Sequence, residues 1–547
     1  MKKTIISMMV LFPVLLLFAA CGAKTQADNA AYVSKGKADP LAKYSPEITM
    51  TSVRTMSPTD KFDKNDPDQE SYEKNRWMRV YKEDLGINIK WNWIAPDEDS
   101  ALARWNTSIA ANDIPDFAYV GNNVYKQLYD ADLIADMKQI FADYATDELK
   151  ATLLPSDYDM LTFDGQMLGF PAGRKQFAGT TMLFVRQDWL EKVGLQLPET
   201  IDDVVKIAKA FKDAKLGGSD TIGIIFSNNL TGGSNFGAAD GKWDGFVNGF
   251  GGYLNYWVQK GGALEYSYIQ PEVREALVYA QKLYKDGIIN LDFASLTPAQ
   301  AREYVASGKC GIFYSTAWNV TQSMNTLVKD QKARMVNLMS PPAKAGQKLP
   351  VQTNYNGGMR TFVSRKSKNP EAAVKLANIS YAYKFKDWHY YMIGNNDEAW
   401  YKYLAWGDFF APAEDDLKKS FAMAEAELTG KPIEDPSWAG EYNMFKTAVA
   451  GQTDPWPTML YGPKGDYTTL YNAYLENRLL VDVFQGLPTN TLELKGNVLR
   501  TALEAAFFEV VMGADISTWD RAVEAWKRDG GTQISSEVNE WYKGLSK

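Results

Sequence analysis

The chain contains little histidine and little cysteine, and this scarcity excludes several kinds of chemistry. Among 547 residues there are two cysteines and a single histidine, His389. Such a set cannot assemble the usual ligands of a zinc site. A serine or cysteine triad would depend on His389, and the sequence Asp387–Tyr391 around it resembles none. No phosphate-binding loop, nucleophile elbow or metalloprotease helix occurs either.

Basic residues are also fewer than acidic residues. The chain has 59 Lys and Arg residues against 67 Asp and Glu residues, a formal net charge of −8, which argues against a nucleic-acid-binding surface. One enzyme class stays open, because a glycoside hydrolase needs only two carboxylates at a suitable separation. The acidic segment Asp63–Asp68 resembles half of a calcium loop, but it lacks the glycine and the final acid that such a loop requires. We therefore expect no cofactor and no metal.

Long hydrophobic runs are confined to the N-terminus. After a short basic start, the apolar residues Ile5–Phe18 lead through two alanines to Cys21. A spanning helix needs about 20 apolar residues, so residues 1–20 are predicted to be a signal peptide. The junction resembles the lipobox of bacterial lipoproteins, although Phe18 stands where leucine is usual. The resemblance implies a Cys21 diacylated with palmitate-like chains; an ordinary signal peptide with an incidental cysteine is the alternative.

A lipid on Cys21 would leave Cys310 as the only free thiol, so no intramolecular disulfide is expected. Residues 21–46 lack apolar periodicity and are predicted to form a flexible tether. Strand and helix patterns alternate from residue 47 onward, as in the strands Ile48–Val53 and Ile87–Trp93 on either side of the helix Tyr72–Leu85. This alternation predicts βαβ units, and about 500 remaining residues predict two or more lobes.

Helix start signals punctuate the middle of the chain. Thr200–Asp203 is typical of a capping box, and the helix that follows has its apolar face at Val204, Ile207, Ala208 and Phe211. Pro271 and the pair Thr297-Pro298 predict two further helix starts.

Several segments, in order, resemble those of one protein family. They are Asn112–Asp116, Asp164–Pro171, Arg186–Leu195 with Pro198–Thr200, and Ser307–Gly311 with Trp318. On these segments the chain resembles the extracellular solute-binding proteins of ABC importers, in particular the large LplA-like lipoproteins associated with complex oligosaccharides. It departs from many relatives at Asp213–Ser219, where most oxygen ligands of their calcium loop are missing. This departure argues against a structural calcium there.

The resemblance implies an α/β, two-lobed fold of the periplasmic-binding-protein type, type II-like, with crossover segments joining the lobes. The first crossover is expected near Pro171–Thr180, a return near Cys310, and a third near Tyr355–Phe362. On this basis the N-terminal lobe comprises residues 47–172 and 311–358. The C-terminal lobe comprises residues 173–310 and 359–547.

Sugars present apolar faces and hydroxyl rims, so their sites pair aromatic platforms with planar hydrogen-bonding groups. Such residues are expected where strands end in loops. The candidate ligand-binding residues are Trp318, Trp257, Trp243, Trp93, Tyr119, Arg174, Asn356 and Arg360. Arg174 could meet a carboxylate if the ligand were a uronic acid. Because the chain has 16 tryptophans, most of them must pack cores, and each candidate has that alternative.

We expect a lipid-anchored receptor on the extracytoplasmic face of the cell membrane. Its function would be to deliver an oligosaccharide to the transmembrane subunits of an ABC permease, as a monomer and without catalysis. A peptide or other small-molecule receptor of the same architecture is the runner-up. A surface glycoside hydrolase and an adhesion lipoprotein are the remaining alternatives.

Overall fold

The computed structural model describes residues 36–545, with gaps at 57–61, 63–66, 68, 152, 154–156, 159, 164, 172–176, 231–239, 354–358, 387–414, 432 and 434–438. The predicted lipidation site Cys21 and the histidine His389 lie outside the described residues. Contacts group Ser34–Lys547 into one compact unit. Within the described part of the chain, no helix is both long enough and apolar enough to cross a membrane.

Fourteen strands occur in the described residues. They are β1 (Ile48–Thr55), β2 (Ile87–Ala95), β3 (Phe117–Gly121), β4 (Thr162–Phe163), β5 (Gln166–Met167), β6 (Phe170–Pro171), β7 (Thr181–Arg186), β8 (Trp257–Lys260), β9 (Ala263–Tyr266), β10 (Ile312–Thr316), β11 (Met335–Leu338), β12 (Val351–Gln352), β13 (Met359–Val363) and β14 (Leu479–Leu480).

The α-helices of the same residues fall mainly between and after these strands. They are α1 (Arg76–Leu85), α2 (Glu98–Ala110), α3 (Asn122–Asp130), α4 (Lys138–Tyr144), α5 (Asp147–Ala151), α6 (Gln187–Val193), α7 (Ile201–Asp213), α8 (Asp244–Asn248), α9 (Pro271–Lys285), α10 (Pro298–Ala306), α11 (Ser323–Gln331), α12 (Pro370–Lys386), α13 (Asp415–Thr429), α14 (Ala439–Val449), α15 (Trp456–Tyr461), α16 (Asp466–Leu475), α17 (Asn490–Val511), α18 (Ser517–Trp526) and α19 (Thr532–Leu545).

The first lobe, residues 36–171 and 359–386, is built on short strands covered by helices. β1 and β2 pair in parallel, and β13 lies between β3 and β6 and is antiparallel to both. The late helix α12 packs against α1, α4 and α5, which come from the beginning of the chain. One core cluster of this lobe joins Trp105 of α2, Val120 of β3 and Phe362 of β13.

The second lobe, residues 177–353, 415–480 and 490–545, has a central sheet of order β10-β7-β11. Every residue of β7 and β10 is buried, because hydrophobic clusters cover the sheet on both sides. One cluster contains the apolar face of α7 together with residues of α17 and α18, so the C-terminal helices close this core. The other contains Phe313, Leu417 and Tyr467.

Local sequence signals account for the helix ends. The predicted capping box of α7 is confirmed: the Thr200 side chain accepts from the Asp203 N–H, and the Asp203 carboxylate accepts from the Thr200 N–H. Val204, Ile207, Ala208 and Phe211 are buried as predicted. The predicted starts at Pro271 and Thr297 are also confirmed, since α9 begins at Pro271 and Thr297 caps α10.

Two parts of the predicted domain organisation are wrong. β10 and β11, within residues 311–358, pair with β7 of the second lobe, not with the first lobe. β13, within residues 359–547, pairs with β3 and β6 of the first lobe. Cys310 is fully buried in the second lobe and bridges Ile222, so no crossing occurs there. The error arose because nearly continuous apolar strands do not reveal which sheet they join.

The predicted tether is also too long. Residues 36–46 pack on the first lobe, where the Tyr44 N–H donates to the Leu85 carbonyl at 2.8 Å and the Lys375 ammonium donates to the Ala42 carbonyl at 2.7 Å. Gly86 ends α1 in the left-handed conformation, and a Cβ there would lie 2.5 Å from the backbone carbonyl oxygen of Tyr44. A glycine is therefore required where this segment crosses the end of α1.

Candidate functional site

The crossover segments leave the first lobe from one edge of its sheet. Gly121, the last residue of β3, pairs with Met359, the first residue of β13. The next residue of β13, Arg360, pairs with Pro171, the last residue of β6. β6 therefore ends, and β13 begins, at the edge where β3 finishes and α3 begins. Open α/β sheets bind ligands beyond the carboxyl ends of their strands, which makes this edge the expected ligand side of the lobe.

The second lobe has a matching edge. Thr181, the first residue of β7, pairs with Thr316, the last residue of β10. The Thr180 hydroxyl donates to the Thr353 hydroxyl oxygen at 2.6 Å, so the two crossover segments also meet at this end. Trp318 follows β10 directly, in a short 3-10 helix. Chain topology thus places Trp318 at the end of the second lobe from which the crossovers depart.

Trp318 is half-buried and its indole N–H has no hydrogen-bond partner. Its ring meets that of Tyr467 edge to face at 6.2 Å, which fixes its plane from one side. Buried polar atoms without partners recur close by in sequence, on Asn319, Gln322 and Asn325. Unbonded polar groups in such density are rare in folded proteins, and a hydroxyl-rich ligand is one group that could satisfy them.

The buried carboxylate of Asp240 accepts hydrogen bonds from residues on both sides of Trp318 in sequence. The Ser315 and Ser323 hydroxyls both donate to the Asp240 carboxylate at 2.7 Å. Burial raises the pKa of Asp240 to about 6, opposed by these hydroxyls and by the Arg302 charge. Asn319 lies within hydrogen-bond distance of Ser323, and one polar atom of its amide remains unbonded. Rotating that amide exchanges donor for acceptor and still leaves one atom without a partner.

On the first lobe, Trp93 lies near the end of β2 and Tyr119 lies in β3, and both are half-buried. The Trp93 ring packs edge to face on Trp105 at 5.5 Å, and Trp105 packs on Phe362 of β13. The Trp93 indole N–H is buried without a partner, as is that of Trp318.

Arg360 is fully buried at the crossover edge of the first lobe. Its guanidinium donates to the Asn122 side-chain oxygen and, at 3.0 Å, to the Gln485 carbonyl. The Tyr125 ring lies 5.2 Å from the guanidinium carbon, and the Arg360 Nε–H has no partner. Gln485 belongs to residues 481–489, which return to the first lobe through Leu487, a member of its core cluster.

Two of the predicted ligand residues lie in the core of the second lobe. Trp243 has no exposed surface, stacks on Phe226 at 3.9 Å and donates its indole N–H to the Ser227 carbonyl. Trp257 is 4% exposed and packs against Tyr266 and Phe484. The surroundings of Trp243 and Trp257 indicate that both rings pack the core. A ligand contact by either residue stays a prediction. Arg174 and Asn356 lie outside the described residues.

Sequence reasoning missed Asn122, Asn319 and Asp240. Asn122 and Asn319 each follow a strand end by one or a few residues, a position that could have been noted. Asp240 carried no signal, because its partners Ser315 and Ser323 are distant in sequence.

Metal and thiol chemistry find little support in this part of the chain. The described residues contain no group of three or more His, Cys, Asp or Glu side chains that could hold a metal ion. Directly after Asp213–Ser219, the segment that corresponds to the calcium loop of many relatives, Asp220 pairs with the Lys309 ammonium at 2.6 Å. Burial raises the pKa of the Cys310 thiol to about 12, so the reactive thiolate is disfavoured.

Comparisons with known proteins agree with this architecture. The family model described as bacterial extracellular solute-binding protein matches residues 67–388. Lipoprotein LipO of Bacillus subtilis is 23% identical over 483 residues, covering 86% of this chain and 89% of LipO. The polygalacturonan/rhamnogalacturonan-binding protein YtcQ of Bacillus subtilis is 22% identical, covering 84% of this chain and 85% of YtcQ.

Among solved structures, a solute-binding protein from Bifidobacterium longum infantis, described as HMO-binding and ABC-transporter-associated, superposes with a TM-score of 0.62 at 16% identity. The match covers 91% of this chain and 98% of that one. The likeness shows the fold, two lobes of α/β structure, as predicted.

Proposed function

Because the chain belongs to the bacterial extracellular solute-binding proteins, we propose that it binds an oligosaccharide between its two lobes and delivers it to an ABC importer. The observation that carries this proposal is the edge of the second lobe around Trp318. A half-buried indole with an unbonded N–H stands there among further unbonded polar atoms. An indole face suits the apolar face of a sugar ring, and the polar atoms suit its hydroxyls.

Ligand binding would act on the crossover segments. If contacts to both lobes form only when the lobes approach each other, the ligand stabilises the closed state by those additional contacts. A permease can then distinguish the loaded receptor from the empty one by its shape. Trp318 on one edge and Trp93 and Tyr119 on the other are the ligand contacts that we propose.

The names of two relatives support a carbohydrate ligand and a lipid anchor. YtcQ is named for binding polygalacturonan and rhamnogalacturonan, and LipO is named a lipoprotein. We propose diacylation of Cys21, which would hold the body at the outer face of the cell membrane, because two acyl chains anchor a protein stably. Residues 36–46 of the predicted tether pack on the first lobe, and residues 21–35 lie outside the described residues.

Thermal unfolding of the full chain in detergent, with neutral oligosaccharides, oligouronides and peptides, tests the proposal. At a ligand concentration a hundredfold above its dissociation constant, binding should stabilise the protein by about 2.7 kcal/mol. Chromatography of the sugar afterwards must show that it is intact. A shift with peptides alone would favour the runner-up receptor. Loss of the sugar during the assay would favour a hydrolase.

Replacing Trp318 by alanine should weaken oligosaccharide binding about 10- to 100-fold, because an aromatic anchor contributes a large share of the energy at such sites. The melting temperature of the free protein should fall modestly, because the half-buried ring packs on the core of the second lobe. Titration calorimetry measures the affinity. Trp456→Ala is a matched control, since Trp456 is half-buried in the same lobe and packs on the same core cluster. Equal affinity losses in the two variants would contradict a direct contact by Trp318.

A further inference from the structure

The guanidinium of Arg360 is buried, and no described residue gives it an opposite charge as a partner. No described carboxylate lies within 4.0 Å of it, and both acceptors that it reaches, the Asn122 side chain and the Gln485 carbonyl, are neutral. Burial lowers the pKa of Arg360 to about 10, and the neighbouring Tyr125 opposes this only in part. Buried charges in proteins are nearly always paired, because leaving water costs several kcal/mol. An unpaired one therefore points to a missing anion.

A helix N-terminus lies against the same guanidinium. α3 has nine residues and begins at Asn122, whose side chain accepts a hydrogen bond from Arg360. Its N-cap residue is Gly121, which offers no side-chain acceptor to the first N–H groups. The first N–H groups of a helix have no partner within the helix, and the helix dipole adds positive potential there. Anions bind readily at such positions.

The position of this pair favours a ligand over a purely structural role. Arg360 and Asn122 lie at the edge where β3 ends and the crossover segments attach. The guanidinium also spans from β13 to residues 481–489, because it reaches the Gln485 carbonyl. A bound anion would form stronger, charge-assisted bonds than this carbonyl does. It would replace the carbonyl as the partner of one arm and use the free Nε–H as well.

We propose that Arg360 and the N-terminus of α3 form a site for a carboxylate of the ligand, so that the oligosaccharide is acidic, with uronic acid residues. This inference rests on the proposed function. A guanidinium binds a carboxylate through two parallel hydrogen bonds, and the unbonded Nε–H with one Nη–H provides that pair. Lys126, one turn further along α3, is already paired with Asp130 at 2.6 Å, so within the described part of the chain Arg360 is the cation at this helix start that has no acidic partner.

The test compares ligands that differ only in charge, using the full chain in detergent. Calorimetry would be run with trigalacturonate, its methyl ester, a mannuronate trimer, a sulfated trisaccharide and a neutral trisaccharide. The free acid should bind at least about 30-fold more tightly than its methyl ester, because the ester cannot form the ion pair. The preference should shrink with added salt. Tighter binding of the sulfated sugar would assign the site to a sulfate ester and overturn the uronate.

Arg360→Gln should abolish the preference for acid over ester, while binding of the methyl ester is retained. Arg528→Gln is the control: this arginine is exposed in the second lobe, and its loss removes the same charge. If Arg360→Gln does not fold, the ratio of the affinities of the unmodified protein for acid and ester still tests the proposal. Equal binding of acid and ester, or tighter binding of the neutral sugar, overturns the acidic ligand but leaves the receptor function standing. Absence of binding by every sugar overturns both.

Discussion

Replacing Trp243 by alanine should lower the free energy of unfolding by about 3–5 kcal/mol, the usual range when a fully buried tryptophan is removed. The indole has no exposed surface and stacks on Phe226 at 3.9 Å. It also contacts Phe293 and Phe507 edge to face, so its loss would leave a cavity in the core of the second lobe. Its N–H donates to the Ser227 carbonyl, which would lose that donor. Denaturant unfolding of the free protein measures the change.

Trp243→Ala is informative because the sequence predicted the same residue as a ligand contact. Trp243→Phe, which retains an aromatic ring, should restore part of the lost stability. At a temperature where the variant is still folded, its affinity for ligand should stay close to that of the unmodified protein. Unchanged stability together with lost binding would place Trp243 in the ligand site and contradict the packing role.

Asp240→Asn should stabilise the protein increasingly as pH rises from about 4 to about 6. The carboxylate is fully buried, and its pKa rises to about 6 from an ordinary 3.8. The folded protein therefore holds this proton over a range where the unfolded chain has released it. By linkage, stability falls as pH rises through that range, by at most about 3 kcal/mol for this group. Asparagine carries no charge, so the variant lacks this loss.

The measurement is the difference in unfolding free energy between Asp240→Asn and the unmodified protein at several pH values. The difference should grow between pH 4 and 6 and stay constant above about 7. Subtracting one protein from the other removes the contributions of other groups, among them the buried Asp466, whose pKa is also raised by burial. An amide can donate to one serine and accept from the other, so packing should survive. A difference that is independent of pH would contradict a raised pKa for Asp240.

Much of the fold was predictable because local signals and family resemblance agreed. The capping box at Thr200 and the prolines at 271 and 298 mark helix starts through backbone hydrogen bonding, which depends only on nearby residues. Strand pairing has no such local basis. The apolar strands β10 and β13 are similar in sequence pattern, and each was assigned to the wrong lobe for that reason.

The candidate site, like the fold, was predictable from the sequence only in part. Trp318 was predicted from its position after a strand, and the structure places it at the crossover edge of the second lobe. Trp243 matched the same chemical criteria but lies in the core. Aromatic side chains serve both cores and sugar sites, so residue type alone cannot separate them.

By itself, the sequence determined the exclusion of zinc sites and histidine triads, the apolar N-terminal segment ending at Cys21, the starts of several helices and the family. These depend on residue type and short-range spacing. The tertiary structure alone decided which strands share a sheet, that residues 36–46 pack on the first lobe, and that Arg360 meets the start of α3. Those features arise between residues that lie from about 40 to more than 200 positions apart, as in the Tyr44–Leu85 and Arg360–Asn122 contacts. Burial and the pairing of polar groups act there on the folded chain and leave no local pattern.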